Sequence, residues 1–258
     1  MKGQLVLSLF PGLGLLDKAF EDEGFCVVRG PDRIWGGDVK KFLPPAGCFD
    51  GVIGGPPCQR FSQVNISGRK GKQPLQEDLI PEFERCVRAA APSWFLMENV
   101  EQAPLPDLPA FDVRPLLFNN RDLGAEQNRV RRFTFGIDGA ARAVNGLHTF
   151  QRSLQGEFVA LENIDRSGCF TANGTQWEPG PRGKRGRCRS DRTVKELKRG
   201  LRLQGLSEDY LDDCPLTVEG AIKAVGNGVP LPMGRAVARA VKAALSAESE
   251  PIEERKTA

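Results

Sequence analysis

Three short strings carry side chains that can do covalent and acid–base chemistry. The first is Gly54-Gly55-Pro56-Pro57-Cys58-Gln59, which closes the apolar run Val52-Ile53. Two glycines and two prolines after such a run make a stiff turn that lifts one side chain off a sheet edge. Proline fixes φ and has no N–H, so the loop has few conformations to lose. A thiol held this way suits a nucleophile, whose reactive form is the thiolate. The plainer alternative is a buried structural cysteine. The second string is Met97-Glu98-Asn99-Val100, which ends the apolar run Trp94 to Met97. A carboxyl at the end of a buried strand is desolvated, which favours its protonated form and lets it hold or donate a proton. The alternative is an exposed Glu98 beside an Asn99 helix cap. The third string is Gln127-Asn128-Arg129-Val130-Arg131-Arg132, in which alternation puts Arg129 and Arg131 on one face of a strand.

Other strings suit a bound ligand. Phe10-Pro11-Gly12-Leu13-Gly14 follows the apolar run Leu5 to Leu9 and precedes a helical pattern. Glycines there let the backbone approach a ligand and leave helix N–H groups available. Asp17 stands where nicotinamide binding usually needs a third glycine, which disfavours a nicotinamide oxidoreductase. Asp32 follows the second apolar run, and a carboxylate there can accept two hydrogen bonds from a ribose diol. Gly37-Asp38-Val39 comes next. Gly226-Asn227-Gly228-Val229-Pro230 reads alone as a turn before a helix.

Taken in order, these strings resemble the motifs of the DNA (cytosine-5)-methyltransferases, over residues 1–140 and 220–240. The resemblance implies S-adenosyl-L-methionine as cofactor, with contacts from Phe10, Pro11, Gly12, Leu13, Gly14, Asp32, Arg33, Asp38, Val39, Pro57, Leu79, Asn227 and Val229. It implies a catalytic set of Cys58, Glu98, Arg129 and Arg131. Cys58 would add to C6 of a flipped cytosine and Glu98 would bind its N3 and N4 edge. Arg129 would contact its carbonyl and a nearby phosphate, and Arg131 would orient the site. Double-stranded DNA is the expected partner, met by Gln59, Ser62, Arg69, Lys70, Arg185, Arg187 and Arg189. Three residues depart from the family pattern: Ser8 stands for an acid, Leu15 for a second consecutive glycine, and Asp32 for the usual Glu. Thr193-Val194-Lys195-Glu196 and Leu203-Gln204-Gly205-Leu206 resemble the motif that organises the family's small domain. A tRNA methyltransferase of the same fold is an alternative, because Cys169-Phe170-Thr171 resembles a tripeptide of that subgroup. A catalytically silent DNA-binding protein is another. Restriction-modification, phage protection and an orphan role remain open.

The elements that must position these groups follow from periodicity. Short apolar runs alternate with helical patterns over the first 140 residues, which predicts an α/β fold with a doubly wound, mostly parallel sheet. Asp78 to Ala90 reads as an amphipathic helix with Leu79, Phe83, Cys86 and Val87 on one face. The expected catalytic domain is residues 1–140 plus 215–245. Periodicity is weak over 141–214, which predicts a small irregular target-recognition region, and 246–258 reads as a charged tail. From Arg182 to Arg202 ten Lys and Arg face only Asp191 and Glu196, a stretch that suits phosphate contact although the net charge is only +3. Seven irregularly spaced cysteines without a C-x-x-C pair argue against a disulfide framework and a zinc site, and fit a reducing cytosol. His148 is the single histidine, which excludes a histidine triad or a multi-histidine metal site. No apolar stretch approaches the roughly 20 residues that span a bilayer. The expectation is therefore a monomeric cytoplasmic protein without metal or membrane partner.

Overall fold

Alternating burial on both sides of a short central strand sets the architecture. In Trp94–Asn99 the side chains of Trp94 and Leu96 join one apolar cluster, and those of Phe95 and Met97 join the other. Such a strand needs cover on both faces, the signature of a sheet sandwiched between helices. In a computed structural model, residues 3–57, 77–139, 143–159, 169–171 and 192–248 are described. The strands are β1 (Leu5–Leu9), β2 (Cys26–Arg29), β3 (Gly51–Gly54), β4 (Trp94–Asn99), β5 (Phe111–Asn119) and β6 (Val130–Asp138). The helices are α1 (Leu15–Asp22), α2 (Ile80–Ala90), α3 (Ala143–Gly156), α4 (Val194–Leu203), α5 (Val218–Asn227) and α6 (Leu231–Glu248).

The sheet order is β2-β1-β3-β4-β6-β5. The pairs β1–β2, β1–β3 and β3–β4 are parallel, as the α/β alternation predicts. The pairs β4–β6 and β5–β6 are antiparallel, so the sheet is mixed. The cause is chain length: Asn120 to Arg129 joins β5 to β6 without the helical crossover that a parallel pair requires. β5 is a strand that the periodicity does not predict. It lies at the sheet edge, where the missing N–H of Pro115 costs least.

One face is covered by α1, α3 and α6, which bring Phe20, Phe150, Leu154, Val237 and Val241 onto Ile53, Trp94 and Phe135. The other is covered by α2, whose Phe83, Cys86 and Val87 meet Leu7, Leu9, Val52 and Phe95. Each fully buried Leu, Val or Phe side chain contributes about 1.5–3 kcal/mol. Two glycines admit the large rings of β4. A Cβ on Gly51 would lie 2.1 Å from the Trp94 indole, and one on Gly136 would lie 2.2 Å from the Phe95 ring. Two helices, α3 and α4, lie inside 141–214, which weak periodicity predicts to be irregular. The stripe Leu147, Phe150 and Leu154 makes α3 part of the main core. On α4, Leu201 and Leu203 pack with Phe170, Ile222 and Val225 in a third cluster. Thr193 starts α4 by accepting a hydrogen bond from the Glu196 N–H.

Candidate active site

Among the described residues, the candidate groups gather at one edge of the sheet. The carboxyl ends of β1, β3 and β4 point the same way, and antiparallel β6 begins there. In open α/β sheets this edge is where ligands bind.

Phe10 to Gly14 leaves β1 in an unusual backbone path. Phe10, Gly12 and Gly14 all have positive φ, of 56°, 57° and 75°. Left-handed backbone at a non-glycine such as Phe10 is a strain concentrated at functional loops. No atom lies within 4 Å of where a Gly12 Cβ would be, so open space stands over the turn. The Asp32 carboxylate holds the loop: one oxygen accepts from the Gly12 N–H at 2.9 Å and the other from the Ile34 N–H at 2.8 Å. Trp35 adds a second tie, its Nε1–H donating to the Gly12 carbonyl at 2.8 Å. Trp35 is 54% exposed beside the open turn, an aromatic that the sequence motifs did not single out. Its signal was local: a large aromatic three residues after Asp32. Asp38 accepts from the Lys40 N–H, and Arg33 is exposed. Val39 and Leu79 are buried, Val39 in the apolar cluster under α2.

The turn between α5 and α6 packs beside the first loop. A Cβ on Gly228 would lie 2.6 Å from Leu15 at the start of α1, so this turn seats against the first loop. Asn227 ends α5 exposed, and Val229 is buried in the main core. Open space over Gly12, acids at the ends of neighbouring segments and an exposed indole together fit an adenosine-bearing cofactor.

On the other side stand Glu98 and the arginines. Glu98 Oε1 lies 2.8 Å from Arg131 Nε, and both side chains are largely buried. Glu98 Oε2 faces Gly55, 3.0 Å from where that residue's Cβ would lie. The Asn99 amide donates to the Pro56 carbonyl at 3.3 Å, which ties the end of β4 to the Pro-Pro turn. Burial of Glu98 therefore comes with a cationic partner that desolvation alone did not predict.

Arg131, expected to orient the site, is the arginine beside Glu98, whereas Arg129 is engaged elsewhere. Arg129 precedes β6, is 1% exposed, and donates to the carbonyls of Phe170 at 2.9 Å, Gly226 at 3.0 Å and Gly228 at 2.9 Å. Gln127 and Gln204 extend this joint. Gln127 donates to the Leu203 carbonyl and accepts from the Phe170 N–H; Gln204 donates to the carbonyls of Val225 and Gly228. Alternation could not separate the roles, because it depends on where β6 starts. Arg132 donates to the carbonyls of Glu101, Ala103 and Pro104 and fixes the turn after β4.

Cys58, Gln59, Ser62, Arg69, Lys70, Arg185, Arg187 and Arg189 lie outside the described residues; Pro57, just before Cys58, is half-buried. Within the described part of the basic stretch, Arg192 pairs with Glu219 at 2.9 Å, and Lys198 and Arg202 pair with Glu208 at 3.9 and 3.2 Å. Acids beyond the stretch thus offset part of its charge. His148 is exposed on α3.

Sheet order and site position together define a Rossmann-like α/β methyltransferase fold. A crystal structure of DNMT2 from Spodoptera frugiperda superimposes with a TM-score of 0.58 at 13% identity, covering 94% of this chain and 100% of that one. The family of C-5 cytosine-specific DNA methylases matches residues 37–165, half of the chain, and the chain belongs to it. The type II methyltransferase M.NgoPII of Neisseria gonorrhoeae is 29% identical over 165 residues, 51% of this chain and 47% of that protein. M.HindV of Haemophilus influenzae is 26% identical over 253 residues, 83% of this chain and 79% of that protein. The chain spans about half the length of several curated relatives it matches.

Proposed function

We propose that this protein transfers a methyl group to C5 of cytosine in a specific double-stranded DNA sequence, through a transient bond between Cys58 and C6. The Glu98–Arg131 pair facing the Pro56-Pro57 turn carries the reading, together with membership of the cytosine-C5 methylase family. The turn leads directly into Cys58. C5 of cytosine is a poor nucleophile until a thiolate adds at C6 and converts the ring to an enamine. Glu98 holds the N3 and N4 edge and stabilises charge on the ring as the adduct forms. Arg131 keeps Glu98 in place and offers its guanidinium to the carbonyl side of the same base, the task expected of Arg129. The Phe10–Gly14 loop with Asp32, Asp38 and Trp35 would hold S-adenosyl-L-methionine, which when bound would supply the methyl group for C5. Loss of the C5 proton to a base and expulsion of the Cys58 thiolate restore the aromatic ring. The target atoms are inaccessible in a stacked duplex, so the base is flipped at a cost of a few kcal/mol.

Duplex DNA bearing 5-fluorocytosine at the target site tests the step directly, since fluorine at C5 cannot leave as a proton. With S-adenosylmethionine present the wild type forms a covalent protein–DNA complex and C58A forms none. No adduct on any duplex that the protein methylates, or full methylation by C58A, overturns the mechanism. A silent DNA-binding protein would bind DNA equally with and without Cys58 and methylate nothing. The tRNA reading rests on Cys169-Phe170-Thr171. Phe170 is fully buried, with its ring against Gly200 and its carbonyl on Arg129, so packing accounts for that residue, while the likeness to a DNMT2 structure keeps the tRNA reading as the second candidate. Methyl transfer to duplex DNA and tRNA, measured side by side, separates the two substrates.

A further inference from the structure

Asp17 breaks a local rule. It sits on the buried stripe of α1 among Leu15, Leu16, Ala19 and Phe20 and is itself 0% exposed. An ionisable group on an apolar stripe costs stability unless its partners compensate, and such conflicts concentrate at functional sites. Its partners come from two strands. The Ser8 hydroxyl on β1 donates to Asp17 Oδ1 at 2.5 Å, and Arg29 Nε on β2 lies 3.1 Å from Oδ2. Ser8 and Arg29 face each other in the parallel register. The Arg29 guanidinium continues over Gly14, where an added Cβ would lie 2.9 Å from its Cζ. Gly14 is the left-handed residue from which α1 starts and the last residue of the loop assigned above to the cofactor.

We propose that Asp17 is a positioning residue for cofactor binding: its carboxylate ties Ser8 to Arg29, and Arg29 holds Gly14 in the turn that receives the ligand. This rests on the reading of residues 10–14 as the cofactor loop. The carboxylate acts through Arg29 and does not touch the ligand. The charges facing it are Arg29 from β2 and Glu21 from α1, which lies 3.9 Å from Arg29 Nη2. β1 contributes only the Ser8 hydroxyl, and α6, which packs on α1, directs Arg235 to Asp22. Burial raises the Asp17 pKa to about 6, with Ser8 and Arg29 opposing the rise. Protonation then removes the anchor of Arg29 within an accessible pH range.

The test titrates the full chain with S-adenosylhomocysteine by calorimetry from pH 5 to 8 and follows methylation at varied S-adenosylmethionine. D17N preserves shape and removes charge. Its affinity falls about tenfold and the KM for the cofactor rises in step, while kcat moves less than about twofold. Wild-type affinity weakens as pH falls through about 6, and D17N shows no such inflection. R29M leaves the buried Asp17 carboxylate without its cation and shifts affinity in the same direction, with its melting temperature followed in parallel to separate lost binding from lost folding. Wild-type affinity and pH profile in both variants overturn the proposal. So does a D17N protein that loses thermal stability and affinity together while keeping the wild-type inflection, the mark of a merely structural residue. A wild type that binds no S-adenosylhomocysteine at any pH overturns the cofactor assignment itself, which is a different failure.

Discussion

Two arginines two positions apart do different physical work. Arg131 reaches Glu98 at the mouth of the site, whereas Arg129 spends three hydrogen bonds on carbonyls from distant segments. Leaving one member of a buried pair alone costs about 3–5 kcal/mol. At Glu98 that cost falls on the reacting base, because an unpaired carboxylate reorients and no longer meets the ring in one geometry. R131L should therefore lose about 10²–10³ in kcat and, with its carboxylate partner left unpaired, also melt on the order of 10 °C lower. R129M should strand three carbonyls, each worth about 1–3 kcal/mol. Its melting temperature should fall by on the order of 10 °C, at about 2–4 °C per kcal/mol for a chain of this size. Calorimetric melts and single-turnover methylation of the two variants check this. Equal kcat losses at equal stability would show that the pair does not divide its roles as the contacts indicate.

At the scale of elements, α1 carries a conflict between stability and function that pH exposes. The Asp17 carboxyl ionises near 3.8 when unfolded and near 6 when folded. The folded state thus binds more protons between those values, so this group favours folding most below pH 4. That contribution is lost as pH rises through 6. A gap of this size corresponds to about 3 kcal/mol, the net of burial against the opposing effects of Ser8 and Arg29. Urea midpoints of wild type and D17N should converge near pH 4. By pH 8 D17N should be the more stable, although it binds cofactor less well. A D17N protein that is less stable at pH 8 would show that the carboxylate is stabilising after all. Such conflicts also mark what was legible in the chain. β1, β3, β4 and the amphipathic face of α2 were readable because buried strands and 3.6-residue stripes write themselves locally. The Phe10–Gly14 turn and Glu98 were readable because each is a short string at a strand end. Asp17 and the Arg129 joint were not, because their partners sit on other elements that only the assembled fold brings to them. The Arg129 contacts with Gly226 and Gly228 span nearly a hundred residues. β5 escaped because Pro115 interrupts its pattern, and its acceptance depends on an edge position that only the assembled sheet defines.

Over the whole molecule, charge distribution governs how a duplex would be engaged. A net charge of +3 is too small to draw DNA by itself, so affinity must come from a local concentration of cations. In the basic stretch, Arg192, Lys198 and Arg202 are each paired with an acid. The part before it holds Arg182, Lys184, Arg185, Arg187 and Arg189 with no acid until Asp191. If that segment neutralises phosphates, each contact releases condensed counterions and steepens the fall of affinity with salt. Replacing Arg185, Arg187 and Arg189 together by alanine should reduce the slope of log K against log salt by about 2–3, at roughly 0.9 per phosphate. Phosphate contacts carry no sequence information, so affinity should weaken alike on target and unrelated duplexes, leaving their ratio intact. C58A, which removes no cation, should keep the wild-type slope. Anisotropy titrations from 50 to 300 mM salt, in steps of about 50 mM, resolve a change of this size. An unchanged slope in the triple variant would move the DNA-binding cations elsewhere, and a lost target preference would make these arginines base readers instead.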